Sequence, residues 1–202
     1  MTSPSPLDRA PRGLRERKKA RTKAAIQQEA LRLFRQQGYE ATTVEQIADA
    51  AEFSPSTFFR YFPTKEDVVM YDDLDPLMIA AFEAQPLELN PVQALRTSMW
   101  QVFSTIPADE MQDMRDRFDL IMAVPELRSR MLDELLRNIQ MVARLVAQRV
   151  GRPPDDLGVR TFAGGLIGAM MGAVMTAPRD GSVDYLALLD EAMQRFEAGL
   201  QL

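Results

Sequence analysis

The sequence predicts an all-α protein of about nine helices, with an N-terminal helix-turn-helix unit of three helices and a C-terminal helical bundle. Apolar residues recur three and four positions apart through most of the 202 residues. Pro, Gly and capping Ser, Thr or Asp residues separate these periodic segments. We expect a disordered basic arm at residues 1–16, the helix-turn-helix unit at 17–66 and the bundle at 67–202.

The composition removes several classes of chemistry. The chain has no Cys and no His, so a disulfide framework, a thiolate nucleophile, a Ser-His-Asp triad and a zinc site are not expected. We therefore expect no enzymatic activity, no metal site and no cofactor. The N-terminal segment lacks the apolar region of a signal peptide, so a cytoplasmic location is expected.

The net charge of −5 is unevenly distributed. Residues 1–66 contain 12 Lys and Arg against 8 Asp and Glu, a net of +4, whereas residues 67–202 contain 12 against 21, a net of −9. Such an asymmetry orients the basic part toward a polyanion. Eight of the basic residues fall between Arg9 and Lys23, which is typical either of a solvated tail or of an arm that follows phosphates.

The first helix is predicted from about Arg17 to Gln37, with Gly38 as its C-terminal stop. Its apolar face comprises Ile26, Ala30, Leu33 and Phe34. This helix would support the two short helices that follow.

Residues 43–65 predict two short helices joined by a tight turn. Thr43 is the N-cap of the first helix, with Gln46 three residues later as its capping-box partner. Ser54 is the N-cap of the second, and Pro63 ends it. This spacing is that of a helix-turn-helix.

The second of these helices has polar groups suited to DNA. Phe58 and Phe62 share one face and should be buried, which leaves hydroxyls, an aromatic edge and Arg60 outside to meet base edges and phosphates. Lys65 lies in the first turn of the next helix, where a cation opposes the helix dipole. A phosphate docked at that helix start would resolve the conflict. The alternative is a helical hairpin with solvated polar ends.

These segments resemble the N-terminal domain of the TetR family of bacterial one-component regulators. The resemblance covers about residues 20–70 and is carried in fixed register by Phe34, Gly38, Tyr39, Thr42, Thr43, Ile47, Ala48, Ala51, Ser54, Thr57, Phe58, Phe59, Arg60, Tyr61, Phe62, Lys65 and Glu66. It implies a homodimer that binds a palindromic double-stranded DNA operator, with an effector domain behind it. The residues that it implies at or near DNA are Thr43, Ser56, Thr57, Phe59, Arg60, Tyr61 and Lys65, to which we add the cap Ser54.

The chain departs from the family pattern at two positions. Glu52 stands where the family has a glycine in the turn, so the turn is expected to form without the positive φ that glycine adopts easily. Phe59 stands where tyrosine is common, which removes one hydroxyl for a phosphate.

The C-terminal half predicts six helices. The first runs from Thr64 to Phe82, and Pro76 within it predicts a kink or break near Asp75. The others are expected at Pro91–Ile106, Asp109–Ala123, Pro125–Val150, Asp155–Thr176 and Val183–Leu200.

Methionines and large aromatics are frequent in these helices. Such pliable side chains suit the wall of an adaptable apolar pocket, although an ordinary Met-rich core would give the same pattern. The expected ligand-binding residues are Met99, Trp100, Phe103, Phe118, Met122, Met141, Phe162 and Met170. One of Arg96, Arg115, Arg117 and Arg144 would meet an anionic group of the ligand, and the sequence does not choose among them.

Glycines at every fourth position mark the helix expected at Asp155–Thr176. Glycine costs about 1 kcal/mol against alanine in a helix interior, so close approach of another helix is the natural compensation. The expected homodimer interface comprises Gly164, Gly168, Gly172, Leu189, Met193 and Phe196. A membrane span is the rival interpretation, but the apolar run of roughly 17 residues is short for one, so no membrane partner is expected.

A narrower resemblance is carried by Thr57–Val69 and by Pro125-Glu126-Leu127-Arg128. These segments are similar to actinobacterial, mycofactocin-regulator-like members of the family with an acyl-CoA-like ligand-binding C-terminal domain. We therefore expect a repressor that an apolar, acyl-CoA-like effector releases from its operator. The alternatives are a different small apolar effector, an activator, or a helical interaction protein without DNA binding.

Overall fold

The computed structural model describes residues 13–178 and 183–200. These residues form ten α-helices and no strand, which confirms the all-α prediction. The helices are α1 Leu14–Gln37, α2 Val44–Ala50, α3 Pro55–Tyr61, α4 Lys65–Met70, α5 Asp75–Glu83, α6 Pro91–Phe103, α7 Ala108–Ala123, α8 Pro125–Val150, α9 Leu157–Met175 and α10 Tyr185–Glu197.

The tenth helix arises from the break predicted near Asp75. The apolar pattern from Thr64 to Phe82 is interrupted after Met70, and α5 starts at Asp75 with Pro76 in its first turn. Proline is tolerated there because the first N–H groups of a helix have no partner within it. The expected single helix is therefore two.

Helix α1 begins earlier than expected. It starts at Leu14, so residues 14–16 of the expected disordered arm are helical. Residues 1–12, which include Arg9 and Arg12 of the basic run, lie outside the described residues. At its other end Gly38 has a φ of 87°, and its N–H donates to the Phe34 carbonyl, as expected of a glycine stop.

The described chain divides into two compact units. The first contains the residues up to 73 together with 106–130, and the second contains 74–105 together with the residues from 131 onward. Helices α1–α4, α7 and the start of α8 thus belong to the first unit. The segment 106–130, which the sequence placed in the C-terminal bundle, groups with the helix-turn-helix.

Apolar and polar contacts both hold the first unit together. Its core comprises Ile26, Ala30, Phe34, Ile47, Ala48, Phe58, Phe62, Val68, Val69, Ile121 and Leu127, all buried. On its surface, the Arg35 guanidinium on α1 donates to Asp113 at 2.6 Å and to Asp116 at 2.9 Å on α7. Arg117 of α7 donates to the carbonyl of Tyr71 at 2.6 Å.

The second unit is built around α6, α8, α9 and α10. Its buried core includes Phe82, Val92, Leu95, Met99, Val142, Val146, Val159, Ala163, Leu166 and Met193. An ion pair lies beside this core: Arg96 of α6 donates to both carboxylate oxygens of Asp190 on α10, at 2.8 and 3.1 Å. Hydrogen bonds from Arg96, Trp100 and Gln194 lower the pKa of the Asp190 carboxyl despite its burial.

Replacing Arg96 by Ala should therefore destabilise the second unit by about 1.5–3 kcal/mol, because Asp190 would stay buried without its charged partner. The pKa of Asp190 is lowered by folding, so this stabilisation is present above the unfolded-state pKa of about 3.9 and is lost as the pH falls further. Urea unfolding at pH 7 and at pH 3 measures both effects.

The matched control is Arg195→Ala, since Arg195 pairs with Glu191 on the exposed surface of the same unit. Its loss should cost no more than about 0.5 kcal/mol. Equal losses in the two variants at pH 7 would show that the Arg96 pair contributes no more than a surface pair.

Candidate nucleic-acid interface

The turn between α2 and α3 is a Schellman motif. The N–H of Phe53 donates to the carbonyl of Ala48 at 2.8 Å, and the N–H of Glu52 donates to that of Asp49 at 3.0 Å. Glu52 has a φ of 58°, so the expectation that the turn forms without a positive φ is wrong. A non-glycine residue in this conformation costs about 1–2 kcal/mol, which the two hydrogen bonds offset.

Both short helices begin at the predicted caps. The Thr43 hydroxyl accepts from the N–H of Gln46, and the Gln46 side chain accepts in return from the N–H of Thr43 at 2.9 Å. The Ser54 hydroxyl accepts from the N–H of Thr57 at 3.2 Å. These caps fix the starts of α2 and α3, and therefore the faces that the helices expose.

Helix α3 buries one aromatic ring and exposes the next. Phe58 is fully buried and its ring lies 5.9 Å from that of Phe62, whereas Phe59 is 50% exposed. The Arg60 guanidinium is exposed and stacks over the Tyr61 ring at 5.1 Å. Of the eight residues expected at DNA, the exposed ones are Thr43, Ser54, Ser56, Phe59 and Arg60, and Thr57, Tyr61 and Lys65 are half-buried.

The Lys65 ammonium has partners within the chain. It donates to the carbonyl of Tyr39 at 2.9 Å and to that of Thr42 at 3.2 Å, and it lies 4.0 Å from the centre of the Tyr39 ring. The unfavourable position of Lys65 at the start of α4 therefore has a structural compensation that the sequence argument did not anticipate. An ammonium has three N–H donors, so one remains for a phosphate.

A carboxylate beside Lys65 extends this network. The Tyr39 hydroxyl donates to Glu66 at 2.9 Å, and burial together with this bond raises the pKa of Tyr39 well above its usual value. Burial acts to raise the pKa of the Glu66 carboxyl, but hydrogen bonds from its own N–H, Tyr39 and Thr64, with the charge of Arg130, lower it. Arg130 also donates to Asp67 at 2.9 Å. The start of α4 thus carries two hydrogen-bonded carboxyl groups, and acidic residues suit a helix N-terminus.

The first turns of α1 also carry basic residues. Those that the structure describes as exposed are Arg15, Arg17, Lys18, Lys19 and Arg21. Lys23 is half-buried over the Tyr71 ring at 4.0 Å, and burial and the charge of Lys19 lower its pKa. The helix therefore presents several positive charges in the unit that contains α3.

The residues expected to bind a ligand lie in both units. Phe103, Met141, Phe162 and Met170 pack against the core cluster of the second unit, and Met99 is buried within it. Trp100 is exposed on α6. Phe118 and Met122 are half-buried on α7 of the first unit. Their role in ligand binding stays a prediction.

The second unit contains a cavity that the sequence did not predict. Its volume is about 660 Å³, and it is lined by Leu136, Ile139, Gln140, Ala143, Arg144, Pro154, Asp155, Leu157, Arg160 and Thr161. None of the eight expected ligand residues lines it. The cavity forms between α8 and the start of α9. Because its walls come from two different helices, no local sequence pattern predicts it.

The residues expected at a homodimer interface divide into two groups. Added Cβ atoms at Gly164, Gly168 and Gly172 would meet nothing within 4 Å. Met193, by contrast, is 2% exposed in the core of the second unit, and Leu189 and Phe196 pack against that core. Close helix packing within the chain occurs at the neighbouring Gly165, where a Cβ would come 3.0 Å from the Phe196 ring.

Helix α9 is also the one described helix that is long and apolar enough to cross a membrane. Its best 18-residue window has a mean hydropathy of 1.4, and 17% of that window is buried. One such helix is weak evidence for a span.

Family models match most of the chain. Residues 26–70 match the model of bacterial regulatory proteins of the tetR family, and residues 89–201 match the MftR C-terminal domain. The two matches cover the helix-turn-helix and helices α6–α10.

Relatives and solved structures agree with these models. The HTH-type transcriptional regulator TcmR of Streptomyces glaucescens is 38% identical over 151 residues, which cover 71% of this chain and 67% of TcmR. MftR of Mycobacterium tuberculosis is 27% identical over 186 residues, 91% of this chain and 93% of MftR. The fold matches Thermus thermophilus FadR, a TetR-family repressor solved with lauroyl-CoA, with a TM-score of 0.54 at 23% identity over 89% of this chain and 95% of FadR. The chain is therefore a transcriptional regulator of the TetR family, with an MftR-type C-terminal domain.

Proposed function

We propose that the protein is a homodimeric, cytoplasmic repressor that an apolar, acyl-CoA-like effector releases from a palindromic operator. The observation that carries the DNA-binding part is the exposed face of α3, where Ser56 and Arg60 lie outside a helix anchored by buried Phe58 and Phe62. A recognition helix needs a rigid inner face and polar outer groups.

The exposed groups divide into two roles. Arg60 and Ser56 suit base edges, because a guanidinium forms paired hydrogen bonds with guanine and a hydroxyl bonds to several base edges. Thr43, Thr57 and Tyr61 suit phosphates, and so does the third N–H of Lys65. A dimer would place two copies of α3 in successive major grooves, about 34–36 Å apart.

The exposure of α9 supports the homodimer. Only 17% of its apolar window is buried in one subunit, and an apolar helix that is left this open is expected to be covered in the assembled protein. The open space at Gly164, Gly168 and Gly172 would let a partner helix approach the backbone. The proposed interface therefore runs along α9 from Gly164 to Gly172, beyond the turn that lines the cavity.

Two observations support an acyl-CoA-like effector. The match to the MftR C-terminal domain covers residues 89–201, and a repressor of the same fold has been solved with lauroyl-CoA. The Met-rich apolar helices of this chain fit a ligand with a long apolar chain. A ligand releases the operator only if it binds the DNA-free conformation more tightly.

The DNA roles predict distinct effects of two substitutions. Arg60→Ala should cost about 1–3 kcal/mol on the operator and relax specificity at one base pair, whereas Lys65→Ala should weaken binding to all sequences and reduce the salt slope by about one. Fluorescence anisotropy on the DNA upstream of the protein's own gene, over a salt series, measures both.

Arg195→Ala is the matched control, because this exposed arginine lies in the second unit. Since Lys65 also holds the Tyr39 and Thr42 carbonyls, the thermal unfolding of its variant is measured in parallel. A folded Lys65→Ala protein with an unchanged salt slope would remove Lys65 from the phosphate contacts.

The effector model predicts reciprocal coupling. Lauroyl-CoA should weaken operator binding, and operator DNA should weaken lauroyl-CoA binding by the same factor. Coenzyme A without the acyl chain is the control and should have a much smaller effect. If lauroyl-CoA binds with equal affinity in the presence and absence of operator, it is not the effector.

The dimer model predicts that Gly168→Glu yields folded monomers. The new side chain meets nothing within its own subunit, but it would place a charge between two apolar helices. Light scattering coupled to size-exclusion chromatography measures the mass. Gly165→Ala is the contrast: its added Cβ meets Phe196 of the same subunit, so the protein should stay dimeric. A dimer of Gly168→Glu would place the interface elsewhere.

A further inference from the structure

The cavity between α8 and α9 combines an apolar wall with exposed cations. Its volume of about 660 Å³ lies within the range of about 300–1,000 Å³ that small-molecule sites occupy. Leu136 and Leu157 line it, and they are 49% and 77% exposed. Removing this apolar surface from water contributes favourably to the free energy of ligand binding.

Two arginine side chains at this cavity have no polar partner among the described residues. Arg144 of α8 and Arg160 of α9 both line it, and within residues 13–178 and 183–200 neither side chain has a hydrogen-bonded or ion-paired partner. Asp155 is the one carboxylate among the lining residues, so the two guanidiniums leave the site with a net positive charge.

The other arginines considered for an anionic ligand are engaged. Arg96 holds Asp190 with two hydrogen bonds, Arg115 donates to Gln112, and Arg117 donates to the carbonyl of Tyr71 and pairs with Asp72. A ligand anion at any of these must first displace an internal partner. At Arg144 and Arg160 it displaces only water.

We propose that this cavity binds an amphipathic organic anion. The apolar chain of the ligand lies along Leu136, Ile139 and Leu157, and its carboxylate or phosphate lies between Arg144 and Arg160. A guanidinium matches both anions because its planar fork donates two parallel hydrogen bonds. This site is where the proposed effector would bind. Binding of the anion does not depend on the proposed function, whereas its effect on DNA binding does.

The test uses dodecanoate and its neutral counterpart dodecanol with the full-length protein. Isothermal titration calorimetry below the micelle concentration should show that dodecanoate binds and that dodecanol binds at least about tenfold more weakly. The double variant Arg144→Ala/Arg160→Ala should lose at least about tenfold in affinity for dodecanoate and keep its affinity for dodecanol.

Two further variants sharpen the test. Thr161→Trp should fill the cavity from its exposed edge and weaken both probes, while the two arginines stay in place. Arg128→Ala is the matched control, since Arg128 is an exposed residue of α8 outside the cavity and should leave both affinities unchanged. Circular dichroism verifies that every variant is folded.

The outcomes are distinct. Equal dodecanoate affinity in the wild type and the double arginine variant would overturn the proposal. Absence of dodecanoate binding to the wild type would also overturn it. If the double variant then changed the mass of the assembly, a second copy of the chain would cover the cavity.

The DNA-binding function is measured separately with the same probes. Release of operator DNA by dodecanoate, absent in the double arginine variant, would connect the cavity with the effector response. Binding without release would leave the anion site in place and remove it from the switch. Failure of the wild type to bind its operator at all would count against the proposed function and not against the cavity.

Discussion

The ammonium of Lys65 organises the DNA-binding unit. It stands at the start of α4, where a positive charge opposes the helix dipole, yet it binds the carbonyls of Tyr39 and Thr42 in the loop that leads into α2. These carbonyls follow the end of α1. The Tyr39 carbonyl also accepts from the N–H of Thr42 at 3.3 Å, and the cation adds a charged donor to both carbonyls. Because Thr43, the next residue, is the N-cap of α2, the same contact sets where the helix-turn-helix begins.

Polar contacts also connect α7 and the start of α8 with the helices around Lys65. Tyr39 donates to Glu66, Arg130 donates to Asp67, and Arg35 binds Asp113 and Asp116. The compact unit around α3 is therefore larger than three helices. Helix α8 is continuous from Pro125 to Val150, while its first residues belong to the first unit and the rest to the second. Arg130 is the last residue of α8 in the first unit, and it is the residue that donates to Asp67 at the start of α4.

The features that the sequence predicted are local. Thr43 with Gln46, Thr64 with Asp67, and Gly38 all act within four residues along the chain, and Pro76 acts within the first turn of α5. The partners of Lys65 lie 23 and 26 residues away, and those of Arg35 about 80. Glu52 shows the other limit. The family has a glycine here, which indicates a positive φ, and replacement of that glycine led to the expectation that the positive φ would be absent. Glu52 adopts the positive φ nevertheless, because the Schellman hydrogen bonds require it.

The arginines show why a candidate ligand site cannot be ranked by residue type. Arg96 and Arg144 are both arginines in apolar helical contexts, and the sequence treats them alike. The structure separates them by what each guanidinium already binds. An anion at Arg96 must break two hydrogen bonds to a buried carboxylate and leave Asp190 without its charged partner, which costs about as much as the new contact gains. An anion at Arg144 and Arg160 meets no such opposition and covers two exposed leucines as well. The free energy of binding is therefore more favourable where the folded chain has left a cation without a partner.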